Sequence, residues 1–310
     1  MIFVSTFDII LGALILGIAL WMTAARNSFS VAIGFVVYGL LLSLVWVRLF
    51  SIDVALTEAA IGSGVTGMIL LTAAARLRAT EAAVKRPGLP IQLAAGLLCT
   101  LTFAGLASIM LSPPVPPPTL APLAVANLPP SGLGNPVTGV LFVYRAFDTL
   151  LEKVVLLLAL TGVWSLAPDR FWGGAPGMRP NADPDSVLTL LAQLLPPVGI
   201  VFGIYMFWTG ADHPGGAFQG GTVLAAMWLL VMIAGLREAP LISRRWLRLY
   251  LVIGPAIFLA IGLVGVVLAG AFLAYPEGYA KPLIILAEAA LTLSIAVTLG
   301  LLAAGPPTRK

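Results

Sequence analysis

The sequence has few charged residues, one cysteine and one histidine, and each scarcity excludes a class of protein. Charged residues make up 10% of the 310-residue chain, whereas hydrophobic residues make up 60%. A soluble protein of this length could not cover its surface with so few polar groups. Cys99 stands alone, which excludes an intrachain disulfide and a cysteine-based metal or iron–sulfur site. His213 has no second metal ligand nearby in the sequence, which argues against a metal site.

Sequence motifs for bond-breaking chemistry are also absent. The chain has no Walker A loop, no dinucleotide fingerprint, no Ser–His–Asp set and no metal-ligand cluster. Its formal charge of +4 is not arranged as a basic stripe with interleaved aromatic residues, so we expect no nucleic-acid partner. We therefore predict that the chain is not an enzyme by itself and that it holds no cofactor or metal.

Long apolar stretches are what the sequence has instead. A helix needs about 20 mainly apolar residues to cross a bilayer. Nine stretches satisfy this length, and they lie near 3–24, 29–50, 54–76, 90–111, 139–166, 188–209, 214–236, 247–273 and 282–304. The predicted fold is therefore an all-α polytopic membrane protein with about nine transmembrane helices.

The positions of lysine and arginine predict the orientation of these helices. Cytoplasmic loops of membrane proteins carry an excess of both residues. With nine alternating spans, thirteen of the 17 basic residues fall on one side: Arg26, Arg76, Arg78, Lys85, Arg86, Arg170, Arg179, Arg237, Arg244, Arg245, Arg248, Arg309 and Lys310. Only Arg48 and Lys281 fall on the other side. We predict an outer N-terminus, an inner C-terminus and a location in the inner cell membrane.

Several predicted spans carry acidic residues, which are costly at membrane depth and commonly mark ion routes there. Glu58 lies in the third span and Glu288 in the ninth. Three glycines that follow Glu58 permit close helix packing, a local π-type distortion or water; they are Gly62, Gly64 and Gly67. Each acid is either a proton or cation relay or a buried acid that is hydrogen-bonded to a neighbouring helix. We interpret both as candidates for an ion path.

The fifth span carries four charged residues within three helical turns. Arg145, Asp148 and Glu152 are spaced i, i+3 and i+7, so they share one helix face, and Lys153 is adjacent. A net charge of zero allows all four to stay ionised by pairing. They are candidates for a hydrated charge wire, or for a structural ion-pair ladder at a subunit interface.

The seventh span begins with a turn-like polar segment. Asp212 is a predicted N-cap, Pro214 lies in the predicted first turn, and His213 lies near the outer surface. Because the pKa of histidine suits neutral pH, Asp212 and His213 form a candidate outer access point for protons. The glycines of this span have small-xxx-small spacing and are predicted to pack helices closely; they are Gly216, Gly220 and Gly221.

Three segments resemble parts of known membrane complexes. The DVALTEAAIGSG run, with the two spans before it, resembles the C-terminal module of the large A subunit of Mrp-type cation/proton antiporters. That module also occurs as the D subunit of hydrogen-evolving membrane-bound hydrogenases and is distantly similar to the J subunit of complex I. The YRAFDTLLEK run resembles the E subunit of these hydrogenases, with Leu151 in place of a glycine. The DHPGGAFQGG run resembles the B subunit of Mrp antiporters, although His213 directly precedes Pro214 and Ala217 replaces a glycine.

The resemblance implies a fusion of three modules. Residues 1–86 would correspond to the D subunit, residues 87–180 to the E subunit with a Pro-rich outer linker at 112–138, and residues 181–310 to the B subunit. The implied partners are antiporter-like large membrane subunits and other small Mrp-type subunits in the lipid bilayer, with H⁺ or Na⁺ as the transported ion. The implied ion-route residues are Glu58, Asp148, Glu152 and Glu288.

Two functions agree with these observations. The first is a subunit of an Mrp-type cation/proton antiporter that contributes intramembrane carboxylates to the ion path. The alternative is a structural bridging subunit of a membrane-bound hydrogenase, another respiratory complex or an inorganic-carbon uptake complex, without direct ion transfer. A self-sufficient transporter is disfavoured, because the chain shows no inverted repeat and no substrate-sized polar cluster.

Overall fold

The computed structural model describes residues 5–81, 88–113, 119–177 and 185–309, and this part of the chain is mainly helical. Of the thirteen lysines and arginines that the sequence places on the inner side, four lie outside these ranges: Lys85, Arg86, Arg179 and Lys310. The helices are α1 (Thr6–Ala24), α2 (Ser28–Arg48), α3 (Ile52–Thr57), π1 (Glu58–Val65), α4 (Thr66–Glu81), α5 (Leu89–Leu111), α6 (Ala121–Ala126), α7 (Pro136–Gly139), π2 (Val140–Tyr144), α8 (Ala146–Ser165), α9 (Val187–Thr209), α10 (Ala217–Ile233), α11 (Arg245–Leu268) and α12 (Ala280–Ala304).

Seven helical segments within the described ranges are long and apolar enough to cross a membrane. They are Thr6–Ala24, Ser28–Arg48, Ile52–Leu77, Leu89–Leu111, Val187–Thr209, Arg245–Leu268 and Ala280–Ala304. Two more helices coincide with predicted spans. Helix α10 is apolar but has 17 residues, and α8 carries Asp148, Glu152 and Lys153 among its 20. The total of nine spans and their orientation stay predictions.

The N-terminal helices form one packed group. Helix α1 packs against α2, and α2 packs against the continuous segment α3–π1–α4. An ion pair of 2.7 Å between Arg48 Nε and Asp8 Oδ1 joins the end of α2 to the start of α1. The segment π1 is the π-type distortion that the glycines of the third span indicated. Such a distortion is common at functional sites, because it interrupts the regular helical hydrogen bonding.

The C-terminal part is a bundle in which α12 occupies the centre. Helix α12 packs against α8, α9, α10 and α11, and α10 also packs against α9. Small residues bring these backbones together, as is usual where helices associate in lipid. A Cβ at Gly220 would contact the carbonyl of Gly203 in α9, and a Cβ at Gly221 would lie 2.7 Å from Ile295 Cγ2 in α12.

Helix α8 begins at a break in the fifth predicted span. Arg145 has φ −129° and ψ 34°, which is not helical, and it separates π2 from α8. Its N–H donates to the carbonyl of Val140, and Thr149 Oγ1 bridges the break by donating to the carbonyl of Leu141 at 2.6 Å. The prediction of one continuous helix over 139–166 is therefore wrong at Arg145.

The segment 112–138, the predicted Pro-rich outer linker, is partly helical. Within its described residues it contains α6, a 3₁₀ turn at Pro129–Ser131 and the start of α7. Prolines stand at the first or second position of all three elements. Proline is tolerated there, because the first N–H groups of a helix have no intrahelical acceptor.

Helix α5 has no buried residue along its 23 positions. Its leucine, isoleucine and phenylalanine side chains are all exposed. Because these side chains find no core in the described part of the chain, the surface of α5 is left for lipid or for another protein.

The loops define two ends of the bundle. The His213 end comprises loops 127–135, 210–216 and 269–279, and the N–H groups of Gly134 and Asn135 donate to the carbonyl of Ala211 there. The Arg244 end comprises loops 166–177 and 234–244 and the last described residues. At this end β1 (Ala175–Pro176) pairs with β2 (Pro307–Arg309), a departure from the all-α prediction. Strands this short have no detectable periodicity in the sequence.

Replacement of Gly221 by valine is expected to destabilise the contact between α10 and α12. The new side chain would overlap Ile295 and the carbonyl of Thr292, and such overpacking costs about 1–3 kcal/mol. Thermal unfolding of the purified protein should occur at a lower temperature. Gly162→Val is the matched control, because no described atom lies within 4 Å of a Cβ at that position. Equal losses in both variants would contradict tight packing at Gly221.

Candidate functional site

A cavity of about 280 Å³ lies between α3, α7, α8, α10 and α12. Four ionisable side chains line it: Asp53, Glu152, Lys153 and Glu288. The sequence predicted the last three as ion-path residues from two separate spans, and the fold places them at one cavity. Thr57 and Gln219 add polar groups to its wall.

Glu288 is the most deeply buried of the four, with 2% of its surface exposed. Its carboxylate faces the first turn of α10, where the backbone amide of Ala217 interacts with it. Its Oε2 atom is buried and has no hydrogen-bond partner among the described residues. Buried polar atoms are almost always hydrogen-bonded, so this oxygen indicates a place for water, a proton or a cation.

The start of α10 is shaped to receive a negative charge. No described side chain caps the helix, and its N-cap residue is Gly216 with φ 137°. A Cβ at Gly216 would lie 3.3 Å from Glu288 Oε1, so glycine leaves room for the carboxylate. The free N–H groups and the dipole of a helix N-terminus stabilise a nearby anion.

Asp53 is a cavity residue whose burial the sequence did not predict. Asp53 was not among the predicted ion-path residues, and its carboxylate is buried although it lies in the first turn of α3, where Ser51 is the N-cap. Asp53 Oδ1 accepts the N–H of Gly215 at 2.9 Å, and Asn135 Nδ2 lies 3.4 Å from Oδ2. Asp53 therefore joins the third span to the loop before α10. The sequence signal for this contact was the pair of glycines in the DHPGG segment, since consecutive glycines leave backbone N–H groups free to bind an acid.

Lys153 is the buried cation of the cavity, with 4% of its side chain exposed. Its Nζ lies 3.6 Å from Glu152 Oε2 and 3.5 Å from the ring centroid of Phe218, a cation–π contact. Lys153 also interacts electrostatically with Glu288. The Glu152 side chain is 51% exposed, so it connects the cavity to the outer surface of the helix bundle.

Tyr275, in the loop before α12, contacts Phe142, a residue of the cavity wall. Its hydroxyl donates to the carbonyl of Phe142 at 3.0 Å. Burial and, secondarily, the Glu288 charge raise the pKa of the Tyr275 phenol above its ordinary value. The phenol therefore stays protonated and keeps its hydrogen bond.

Arg145 and Asp148 do not line this cavity. They form an ion pair on the exposed face of α8, where their side chains are 71% and 53% exposed. Asp148 lies in the first turn of α8, where the helix dipole favours a carboxylate. Asp148 lies on the exposed face of α8 whereas Lys153 is buried, so the predicted ladder of four charges is divided into the pairs Arg145–Asp148 and Glu152–Lys153.

Glu58 also lies apart from the lining of the cavity. Its carboxylate folds over Gly62 of its own helix and approaches Gly39 of α2, since a Cβ at Gly39 would lie 3.1 Å from Glu58 Oε1. Beside it, the buried hydroxyl of Ser63 has no hydrogen-bond partner among the described residues. Glu58 is thus a second polar position, within the N-terminal group of helices.

A second pocket, of about 350 Å³, opens at the His213 end. It is lined by Asp212 and His213 and shares three residues with the buried cavity, namely Asp53, Val54 and Val137. His213 is exposed, and its carbonyl accepts a hydrogen bond from Asn135 Nδ2 at 3.1 Å. The two pockets are therefore neighbours with Asp53 between them.

The prediction that Asp212 caps α10 is wrong. Asp212 lies in the loop before the helix, and both of its carboxylate oxygens accept from Lys281 Nζ, at 2.7 and 2.8 Å. The helix starts at Ala217 instead, because Pro214 belongs to a turn stabilised by hydrogen bonds and not to the first helical turn.

Of the six glycines predicted for helix packing, Gly67, Gly220 and Gly221 lie close to another helix, and Gly216 approaches Glu288 of α12. The nearest neighbours of Gly62 and Gly64 belong to their own helical segment. Gly62 makes room for the Glu58 side chain, and Gly64 is exposed. Gly216 precedes α10 with a positive φ angle, so it also has a role in the turn.

No group of three or more His, Cys, Asp and Glu side chains within the described ranges is arranged to hold a metal ion. The cavity wall nevertheless holds three carboxylates, those of Asp53, Glu152 and Glu288. A fixed metal centre requires convergent ligands, whereas separate carboxylates can bind protons or hydrated cations one at a time.

Two segments of the chain match models of protein families. Residues 187–305 match a domain related to the MnhB subunit of Na⁺/H⁺ antiporter, and residues 13–79 match MbhD, the D subunit of MBH. The chain therefore joins a segment similar to MbhD to a segment similar to the MnhB-related domain, and it is a multi-pass membrane protein.

Relatives of known sequence match parts of the chain. The uncharacterized protein MJ1307 of Methanocaldococcus jannaschii is 27% identical over 154 residues, which cover 45% of this chain and 59% of that protein. A Staphylococcus aureus (strain MRSA252) protein that bears the name antiporter subunit mnhB2 is 28% identical over 111 residues, or 36% of this chain and 72% of that protein.

Two solved structures share the fold. A chain of the Mrp complex from Dietzia sp. DQ12-45-1b superposes with a TM-score of 0.77 at 20% identity, over 99% of this chain and 35% of that chain. A chain of the membrane-bound sulfane sulfur reductase (MBS), an archaeal respiratory membrane complex, superposes with a TM-score of 0.58 at 24% identity, over 69% of this chain and 97% of that chain. At these identities the likeness concerns the fold.

A cysteine placed in the cavity at Gln219 is expected to react with a charged thiol reagent added from the His213 end. The reaction requires water, because the thiolate is the reactive form. In a Cys99→Ala background, mass spectrometry of this chain should show His213→Cys labelled fastest, Gln219→Cys more slowly, and the core control Leu299→Cys not at all. Labelling of Gln219→Cys no faster than Leu299→Cys would contradict a hydrated connection.

Proposed function

We propose that this fusion of D-like and B-like Mrp modules is a subunit of a multisubunit cation/proton antiporter and contributes carboxylates to its ion path. The proposal rests on Glu288, which is buried and has one oxygen without a hydrogen-bond partner among the described residues. The cavity that holds Glu288 adjoins a surface pocket at the His213 end. An acid kept at membrane depth with one oxygen unpartnered is a functional-site hypothesis by default.

The proposed route begins at the outer pocket beside His213 and passes Asp53 to reach Glu288 and Lys153. It leaves through Glu152, whose side chain is half exposed at the other side of the cavity. A cavity of about 280 Å³ has room for several waters, and water can bridge polar groups that do not touch. The chain thus supplies a polar passage between the His213 end and the exposed face of α8.

Charge coupling gives this passage a mechanism. Glu288 interacts electrostatically with both Asp53 and Lys153. In a medium of low dielectric constant, a proton or cation that arrives at one of these groups changes the proton affinity of the next. Binding of a proton or cation at Asp53 would therefore promote ion transfer at Glu288, and Lys153 would balance the remaining negative charge. Glu58 and Asp148 lie outside this passage, and their predicted transport roles would need routes of their own.

The partners would be antiporter-like large membrane subunits and other small Mrp-type subunits in the inner cell membrane. The exposed face of α8 supports this, because the ion pair of Arg145 and Asp148 is unsuited to contact with lipid. We place one partner against this face, where Glu152 would transfer the ion to that partner. The module boundaries at 1–86, 87–180 and 181–310 belong to the same proposal.

A structural bridging role in a hydrogenase, respiratory or inorganic-carbon uptake complex is the second candidate. It is favoured by α5, which has no buried residue and thus offers its whole surface for contacts outside the described chain. In this case the acids of the cavity would hold helices together, and ions would not pass.

Glu288→Gln is expected to lower Na⁺ or H⁺ flux by at least about tenfold, because glutamine keeps the shape but cannot carry the proton or the charge. Flux is measured with the whole complex reconstituted in vesicles and is normalised to the assembled complex. Glu277→Gln, an exposed loop acid, is the matched control and should leave flux unchanged.

Normal flux in assembled Glu288→Gln complexes would contradict the ion-path role. Poor assembly with unchanged flux per complex would instead support the bridging role. Asp53→Asn should resemble Glu288→Gln in flux, although its weaker bond to Gly215 adds a loss of stability.

Replacement of Arg145 and Asp148 together by leucine is expected to reduce co-purification of the partner subunits several-fold. The double variant removes the charged groups that a partner would recognise and leaves a surface that lipid covers well. Co-purification is quantified against the level of this chain. Val155→Ala, on the exposed surface of the same helix, is the control, and equal yields from both would contradict docking at this face.

A further inference from the structure

A pocket of about 480 Å³ lies at the Arg244 end, at the opposite end of the bundle from the His213 pocket. Its charged lining residues are Arg237, Glu238, Arg244 and Arg309, and two tryptophans, Trp228 and Trp246, complete its wall. No part of the proposed ion path involves these residues.

Three separate elements build this pocket. Arg237 comes from the loop after α10, Arg244 is the N-cap of α11, and Arg309 ends β2. The strand pair holds Arg309 in place through its register with Ala175, and the N–H of Ile242 donates to the carbonyl of Gly174 at 3.0 Å. The arginines are thus brought together by backbone hydrogen bonds and are not scattered on the surface.

The basic groups of the pocket lack acidic partners within the part of the chain that the structure describes. None of its three arginines forms an ion pair with a described carboxylate, although Glu238 lines the same pocket. Arg309 Nε is buried and has no hydrogen-bond partner among the described residues. A buried guanidinium N–H without an acceptor is costly, so the site is incomplete without an anion.

The remaining walls favour an oxyanion over a simple halide. Arginine presents a planar fork of donors that matches carboxylate and phosphate oxygens. The N-terminus of α11 has no side-chain cap from a described residue, so its free N–H groups add positive potential beside Arg244. Tryptophan is typical of the boundary between headgroups and hydrocarbon. Three arginines against one glutamate leave a surplus of two positive charges, which suits a phosphate group.

We infer that the pocket formed by Arg237, Arg244 and Arg309 at the Arg244 end is a binding site for a phosphate anion. The phosphate is either the headgroup of an anionic lipid or a free soluble anion. In both cases Arg309 Nε gains its missing acceptor, and the bound anion joins β2 to α11 and to the loop after α10.

The experiment measures binding to the whole complex by native mass spectrometry. One arm titrates phosphatidylglycerol against phosphatidylcholine of the same chain length, and the other titrates inorganic phosphate. Binding to the wild type should be saturable in at least one arm and should weaken by about tenfold or more in Arg309→Gln and in Arg244→Gln, since each loses a charge-assisted hydrogen bond. Arg245→Gln, whose side chain does not line the pocket, is the matched control and should bind as the wild type does.

Preferential binding of phosphatidylglycerol identifies the lipid headgroup, and competition by inorganic phosphate identifies the free anion. If Arg309→Gln disturbs the strand pair and fails to assemble, Arg237→Gln, from the exposed loop, replaces it with the same expected loss. Absence of saturable binding in both arms would overturn the inference. Equal binding by the wild type and by all pocket variants would overturn it as well.

Discussion

The carboxylate of Glu288 is buried against the uncapped first turn of α10, and the geometry of the cavity depends on this contact. Helix α10 can start there because Gly216 adopts a φ of 137° and has no side chain to displace the carboxylate. The N–H groups of the helix start therefore face the acid directly, and the helix dipole stabilises its charge where water is scarce. Without this contact, an acid at the centre of the bundle would have little compensation for its burial.

The cavity also depends on contacts between segments that are distant in the chain. Asp53 lies in the segment that matches the D subunit of MBH, Glu288 lies in the segment related to the MnhB subunit, and Lys153 lies between these segments. The hydrogen bond from Gly215 to Asp53 joins the first segment to the last at 2.9 Å. Neither segment alone contains the set of charges, so this set of polar groups is a property of the assembled fold.

Sequence reasoning predicted Glu152, Lys153 and Glu288 because charged residues within apolar runs are rare and costly. It could not predict the burial of Asp53, since an acid near a helix end resembles an ordinary interfacial residue until the partner loop is known. It also missed the break at Arg145, because the local sequence of the fifth span is compatible with a continuous helix. Asp212 was misassigned for a related reason: the start of α10 depends on hydrogen bonds within the turn before it.

Composition and the spacing of apolar residues by themselves determined that the chain is helical and crosses a membrane, because the bilayer requires long apolar runs with internally satisfied backbones. The rare intramembrane charges were likewise evident from the sequence. Helix packing in three dimensions determines which of these charges meet. The rotation of each helix about its axis, set by contacts such as that of Gly221 with Ile295, turns Glu288 toward Lys153 and leaves Arg145 and Asp148 on the surface.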